Sequence, residues 1–117
     1  IKTTDFVHKS LSQEDNVKIL QFIVWAVETL PEWNRDRLEK LLMDMAEQMD
    51  IKVRDFLFPV FIAIAGTAVS TSVIDSIAVL GKDMTRARLH HAIEILGGVS
   101  KKGAKKLESE YRNLALE

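Results

Sequence analysis

The residues best equipped for chemistry lie close together. Thr67, Ser70, Thr71 and Ser72 place four hydroxyls directly after Gly66. A glycine lets another molecule approach the backbone closely. Hydroxyls both donate and accept hydrogen bonds, and a helix start leaves backbone N–H groups open at the positive end of its dipole. That combination can hold a polar or anionic group. It is also what an ordinary capped loop is made of, and the residue types alone leave both readings open. Other chemistry is missing. His90 and His91 are neighbours on a predicted helix, so they diverge by about 100° and cannot chelate one metal as an i, i+4 pair could. His8 stands alone near the start of the chain. There is no P-loop or dinucleotide glycine pattern. Acidic residues such as Glu28, Glu32, Glu39 and Glu47 fall on predicted helix surfaces, outside the apolar pocket that a general acid needs. No catalytic residue and no metal ligand set is assigned.

These groups must be positioned by helices. Residues 56–89, FLFPVFIAIAGTAVSTSVIDSIAVLGKDMTRARL, form the least polar stretch. Their punctuation reads as helix, tight turn, capped helix, glycine stop and helix. Upstream, residues 1–11 read as a mixed lead-in that frays. Ser12 and Asp15 form a capping box with Asp in place of Glu, opening a first helix over 13–29. Its apolar stripe (Val17, Leu20, Val24, Val27, widened by Ile19, Phe22, Ile23 and Ala26) implies burial on more than one side. Pro31 stops it. Asn34 caps a second helix over 35–49, with Leu38, Leu41, Leu42, Met45 and Met49 at helical spacing. A third helix covers 53–64, with Pro59 as a kink or restart and Gly66 as its stop. Ser70 is the N-cap of a fourth helix running to Leu80, and Gly81 closes it. A fifth helix covers 83–96, with Met84, Ala87, Leu89 or His90, Ala92 and Ile93 facing the core. Gly97-Gly98 breaks the chain before a tail carrying Lys101, Lys102, Lys105 and Lys106 and then a short helix through Leu114. The expected fold is all-α: a single bundle of about five helices over 1–98 and a basic tail over 99–117.

Composition sets further bounds. The 117 residues are 47% hydrophobic, enough for one real core rather than a disordered chain. There is no cysteine, which excludes disulfides, thiol catalysis and Cys-based zinc sites and is compatible with a reducing compartment. The apolar run near 56–65 is too short to span a bilayer, and no signal peptide precedes it. The expected partners therefore do not include a membrane, and the expected location is cytoplasmic. Net charge is −1, which by itself predicts no nucleic-acid affinity. The halves differ, with 8 basic and 11 acidic side chains in residues 1–58 against 8 and 6 in residues 59–117. That polarity favours a phosphate-facing C-terminal half.

The punctuated stretch also resembles the distal part of the helical anticodon-binding domain at the C-terminal end of bacterial-type glutamyl-tRNA synthetases. The family pattern there is roughly P-x-R-x-A-x-x-G, three residues, S-P-x-x-F/L, a short helix, L-G-K-E and a final R-L. Pro59, Ala63, Gly66, Ser70, Leu80, Gly81, Lys82, Arg88 and Leu89 match it, with Asp83 for the Glu. The likeness continues upstream through Trp33, Leu38-Glu39, Leu42, Ala46-Glu47 and Ile51-Lys52, and so covers about residues 30–96. Phe61 stands where the family has Arg, Ala65 where Thr is common, Thr71 where Pro follows the serine, and Ile74 where Phe is usual.

The resemblance implies recognition of a tRNA, with tRNA(Glu) as the expected partner. It places anticodon contact at Phe61, Thr67, Ser70, Thr71, Ser72 and Val73. Phosphate contacts are expected from Lys82, Arg86, Lys101 and Lys102. The Arg-to-Phe departure implies tolerance of more than one anticodon base there, or a divergent paralogue. The class I signatures HIGH and KMSKS are absent, so no cofactor is expected in this chain. ATP, glutamate and magnesium would belong to a catalytic domain elsewhere in the parent polypeptide. Two other readings compete: a non-catalytic helical protein-interaction module derived from the synthetase scaffold, and the C-terminal domain of a class I lysyl-tRNA synthetase.

Overall fold

Short side chains at the heads of four helices mark where those helices begin. Ser12 accepts a hydrogen bond from the Asp15 N–H at 3.0 Å, and the Asp15 carboxylate accepts from the Ser12 N–H at 2.9 Å. This reciprocal pair satisfies two N–H groups that the first turn would leave open. Asn34 and Ser100 cap two further helices through the N–H groups of Arg37 and Gly103, at 2.9 and 3.0 Å. In the computed structural model, which describes residues 2–8, 10–65 and 72–114, the chain forms a 3-10 turn over Thr3–Phe6 and six α-helices. These are α1 Gln13–Glu28, α2 Arg35–Gln48, α3 Val53–Ala65, α4 Val73–Leu80, α5 Lys82–Ile95 and α6 Lys101–Arg112. No strand occurs among the described residues, so the all-α expectation holds. None of these helices is long and apolar enough to cross a membrane.

Helix α1 lies at the centre and packs most extensively on α5, with α3, α2 and α6 on its other sides. Its wide stripe is buried as expected: Ile19, Leu20, Phe22, Ile23, Val24, Ala26 and Val27 are almost fully covered. Helix α3 runs without a break across Pro59. The proline cannot donate to the Asp55 carbonyl four residues earlier, yet Phe56, Val60 and Ile64 are all buried on one face. That burial outweighs the single missing bond.

Three expectations change. The lead-in is docked rather than frayed. Phe6 is 1% exposed, and buried Asn16 of α1 donates to the Phe6 carbonyl at 2.9 Å. His8 is not alone, because its ring lies 4.8 Å from that of Phe58 and its Nε2 is 3.4 Å from Asp55. In α5 the inward stripe is Thr85, Leu89, Ala92 and Ile93, continued by Leu96. Met84 is 48% exposed, and Ala87 and His90 face outward. A stripe started one residue early follows the hydrophobicity of Met84, whereas the spacing 85, 89, 92, 96 keeps one helical face. The described cap of α4 is Ser72 rather than Ser70. Ser70 and the Gly66 stop lie outside the described residues.

Two helices end in the same motif with different residues. After α5, Gly97 at φ +108° lets its own N–H reach Glu94 and that of Gly98 reach Ile93, at 3.0 and 2.8 Å. After α2, Asp50 at φ +55° does the same with Glu47 and Ile51 with Ala46, both at 3.0 Å. This left-handed stop is costly for any residue with a Cβ. Asp50→Gly should therefore stabilise the protein by about 0.5 kcal/mol, and Gly97→Ala should destabilise it by about 1 kcal/mol. Urea unfolding of both variants would check this; equal and opposite signs reversed from these would contradict the assignment.

Candidate functional site

The gap between α3 and α4 is framed by long-range polar ties, some to helix backbone carbonyls and one between side chains. Arg88 reaches from α5 to donate to the Ile64 carbonyl in the last turn of α3. Trp33, just ahead of α2, donates its indole N–H to the Ile77 carbonyl of α4 at 3.2 Å. Arg35 of α2 pairs with Asp75 in the first turn of α4 and with Glu39 on its own helix. Those two carboxylates hold the Arg35 proton more tightly than usual. Gly81 ends α4 and begins α5 in one step, at φ +84° and ψ 170°. That backbone region is essentially glycine-only. Helix α4 is thus held by α2 at its start and by α5 at its end.

Between these ties lies an open groove of about 470 Å³, lined by Ile64, Ala65, Asp75, Ser76, Val79, Leu80 and Arg88. Val79 is 87% exposed on its rim. At the head of α4, the Ser72 hydroxyl accepts from the Asp75 N–H at 3.3 Å, and its carbonyl accepts from the Ser76 N–H at 3.2 Å. The Val73 and Ile74 side chains are buried. What Val73 can offer outward is its backbone N–H, which as the first of a helix has no intrahelical partner.

The expected site residues distribute unevenly. Phe61 sits on α3 with its ring half-buried against the core. Ser72 and Val73 open α4. Thr67, Ser70 and Thr71 lie outside the described residues. Lys82 and Arg86 are drawn elsewhere, to the C-terminal end of α1. Lys82 donates to the Glu28 carbonyl at 3.5 Å, and Arg86 pairs with the Glu28 carboxylate at 3.1 Å. Helix α1 has no basic residue in its own last turn, so α5 supplies the cations that a helix C-terminus favours. Lys101 and Lys102 open α6, which packs on α1. Among the described residues no three His, Asp or Glu side chains converge closely enough to hold a metal ion.

Arg88, Trp33 and the Arg35–Asp75 pair were not singled out as site-building residues from sequence. Trp33 and Arg88 are visible there as members of a spaced pattern, but nothing local announces which carbonyl each will meet. Arg88→Ala should cost about 1 kcal/mol through the lost charge-assisted bond. It should also speed amide exchange in the last turn of α3 more than in α1. Exchange mass spectrometry of the variant tests this, and uniform acceleration across all helices would argue against a local tie. Gly81→Ala, whose Cβ would meet no atom within 4 Å, should cost about 1–3 kcal/mol from backbone strain alone. Thermal melts of Gly81→Ala decide that point, and an unchanged midpoint would rule the strain out.

Comparison with known proteins places this arrangement. Residues 1–93 match the family described as anticodon binding domain. The chain is 50% identical over 114 residues to a glutamate–tRNA ligase of Alcanivorax borkumensis, covering 97% of this chain and 23% of that protein. It is 45% identical over 116 residues to one of Marinobacter nauticus, covering 99% and 24%. A Psychrobacter species has another, 49% identical over 108 residues, covering 92% and 21%. The chain spans less than a quarter of the length of each of these relatives. With its helical fold and a family match over most of its length, the chain belongs to the anticodon-binding domain family, in the form found in glutamate–tRNA ligases.

Proposed function

We infer that this chain recognises the anticodon loop of a tRNA, with tRNA(Glu) as the cognate partner, as the anticodon-binding part of a glutamate–tRNA ligase-like protein. The observation that carries the reading is the family match over residues 1–93, which takes in both flanks of the α3–α4 gap. Anticodon bases are unstacked, so a protein can read their edges and stack on their faces. The head of α4 supports such contact with the Ser72 hydroxyl and the N–H groups of Val73 and Ile74. Thr67, Ser70 and Thr71 would add hydroxyls from the adjoining sequence.

Phe61 cannot hydrogen-bond a base as an arginine would. Its half-buried ring would instead offer a stacking face, which is tolerant of base identity. Lys82 and Arg86 remain in the reading as phosphate contacts, each already engaged on one side by Glu28. Lys101 and Lys102 remain with them. Catalysis, with ATP, glutamate and magnesium, would reside in the larger remainder of such a protein. The protein-interaction alternative draws on exposed Val79 and Met84, but single exposed apolar residues are ordinary on any surface.

Titration with tRNA(Glu) and a non-cognate tRNA at two salt concentrations tests the reading. Cognate preference with binding that weakens steeply as salt rises is the expected result. Phe61→Ala should weaken binding by about tenfold, in line with roughly 1–3 kcal/mol per stacked base. Phe61→Leu keeps apolar bulk for the core and should show the same loss of affinity. Ser72→Ala should cost about 1 kcal/mol of stability through the lost cap and reduce cognate preference. Equal binding of both tRNAs, or none at low salt, would sink the anticodon reading; wild-type affinity in both Phe61 variants would remove Phe61 from it.

A further inference from the structure

Helix α6 is built against its own electrostatics. Helices α1 to α5 each carry an acid in the first turn: Glu14 and Asp15, Asp36, Asp55, Asp75 and Asp83. That is where the positive end of a helix dipole favours negative charge. Helix α6 has no acid there and places Lys101 and Lys102 in the first turn instead. Lys105 and Lys106 follow at i+4 from each, a like-charge spacing that further destabilises a helix. All four lysines are exposed, and none has an ion pair or side-chain hydrogen bond among the described residues. The ion pairs of α6 belong to its other residues, Glu110 with Lys18 and Glu108 with Arg112.

The helix is secured from its inner side. Tyr111 lies 5.4 Å from the ring of Phe22 and 5.5 Å from that of Trp25. Glu110 meets Lys18 of α1 at 3.0 Å, and the Ser100 cap fixes the first turn. At about 100° per residue the four lysines span an arc of roughly 140°, on the side away from Leu107 and Tyr111. They occupy roughly 7.5 Å of helix axis, or about one positive charge per 2 Å. A nucleic-acid duplex carries about one negative charge per 1.7 Å. In a chain of net charge −1, this is a local concentration of positive charge with no formed ion pair among the described residues, although Glu108 and Glu110 lie on the same helix, and it is held outward by a docked inner face.

We propose that the outer face of α6, formed by Lys101, Lys102, Lys105 and Lys106, binds the phosphate backbone of the RNA whose loop is read at the α3–α4 gap. The proposal deepens that reading and rests on it. Lysine ammonium groups on flexible stems suit contact with phosphates and carry no base preference. The face therefore supplies affinity and orientation, while selection stays at the gap. The self-repulsion of α6 is relieved when phosphates arrive.

The test replaces all four lysines with Gln in the full 117-residue chain and measures binding to tRNA(Glu) and a non-cognate tRNA across a salt series. The expected result is a shallower dependence of log affinity on log salt, by about 3 in slope. Affinity for both tRNAs should fall at least tenfold at low salt, with their ratio unchanged. The four-Arg variant should keep the wild-type slope. Circular dichroism melts separate this from misfolding, because the Gln variant should melt at or above the wild-type temperature once the like charges are gone. A wild-type slope in the Gln variant would overturn the proposal and leave the anticodon reading standing. A changed cognate ratio at constant slope would overturn it too, since the lysines would then act in selection. No tRNA binding by the parent chain, or lysine-dependent binding to phosphatidylserine vesicles in its place, would overturn both readings.

Discussion

Open carbonyls at helix ends are the constraint on which this structure depends. A bundle of short helices has many ends, and each end leaves backbone oxygens without partners. Helices α1 to α5 carry no basic residue in their last turns, so they cannot answer those oxygens themselves. Other elements answer instead. Lys82 serves α1, Arg88 serves α3, Thr3 and Gln13 serve the Ile95 and Leu96 carbonyls at the end of α5, and Trp33 adds a second donor to the Ile77 carbonyl of α4, which the Gly81 N–H already meets. At α2 the following backbone does this through the left-handed Asp50, as Gly97 and Gly98 also do at α5. Apolar burial supplies the driving force, but it has no direction. These donors select one arrangement of helices from the many that would bury the same stripes.

The same logic explains what was legible in the sequence. Helix starts were, because a cap is a local event: Ser12 with Asp15, and Asn34 with the Arg37 N–H, need only the next few residues. Breaks at Pro31, Gly81 and Gly97 were legible for the same reason. Helix ends closed by distant side chains were not, since nothing near Ile64 or Ile77 names Arg88 or Trp33. The register of α5 was misjudged because Met84 is more apolar than Thr85, and only packing against α1 and α3 decides which is inside. The docked lead-in was missed because its anchor, the buried Asn16, looks from sequence like one more polar residue in a helix's first turns. At the candidate site, the hydroxyl-rich stretch after Gly66 stands out by residue type, and Phe61 stands out only through the family resemblance. The engagement of Lys82 and Arg86 with Glu28 could not, because it depends on where the end of α1 arrives.

The arrangement divides labour between fixed and adaptable parts. The flanks of the α3–α4 gap are tied to α2, to the segment just ahead of it and to α5, so groups presented there are held in place before any ligand arrives, which lowers the ordering cost of binding. Cations near the end of α1 are partly spent on the fold. The four lysines of α6 make no ion pair among the described residues. Positive charge in this chain thus has two uses, one internal and one facing outward, and position relative to the helix ends separates them.

The chain holds two tryptophans, and both sit at joints described above. Trp33 is bonded to the Ile77 carbonyl of α4, and Trp25 lies against Tyr111 of α6. The protein is therefore its own two-channel optical reporter. Emission from Trp33 follows the seating of α4, and emission from Trp25 follows the docking of α6. With one tryptophan replaced by phenylalanine at a time, the two ends of the molecule can be watched separately in solution without any added dye.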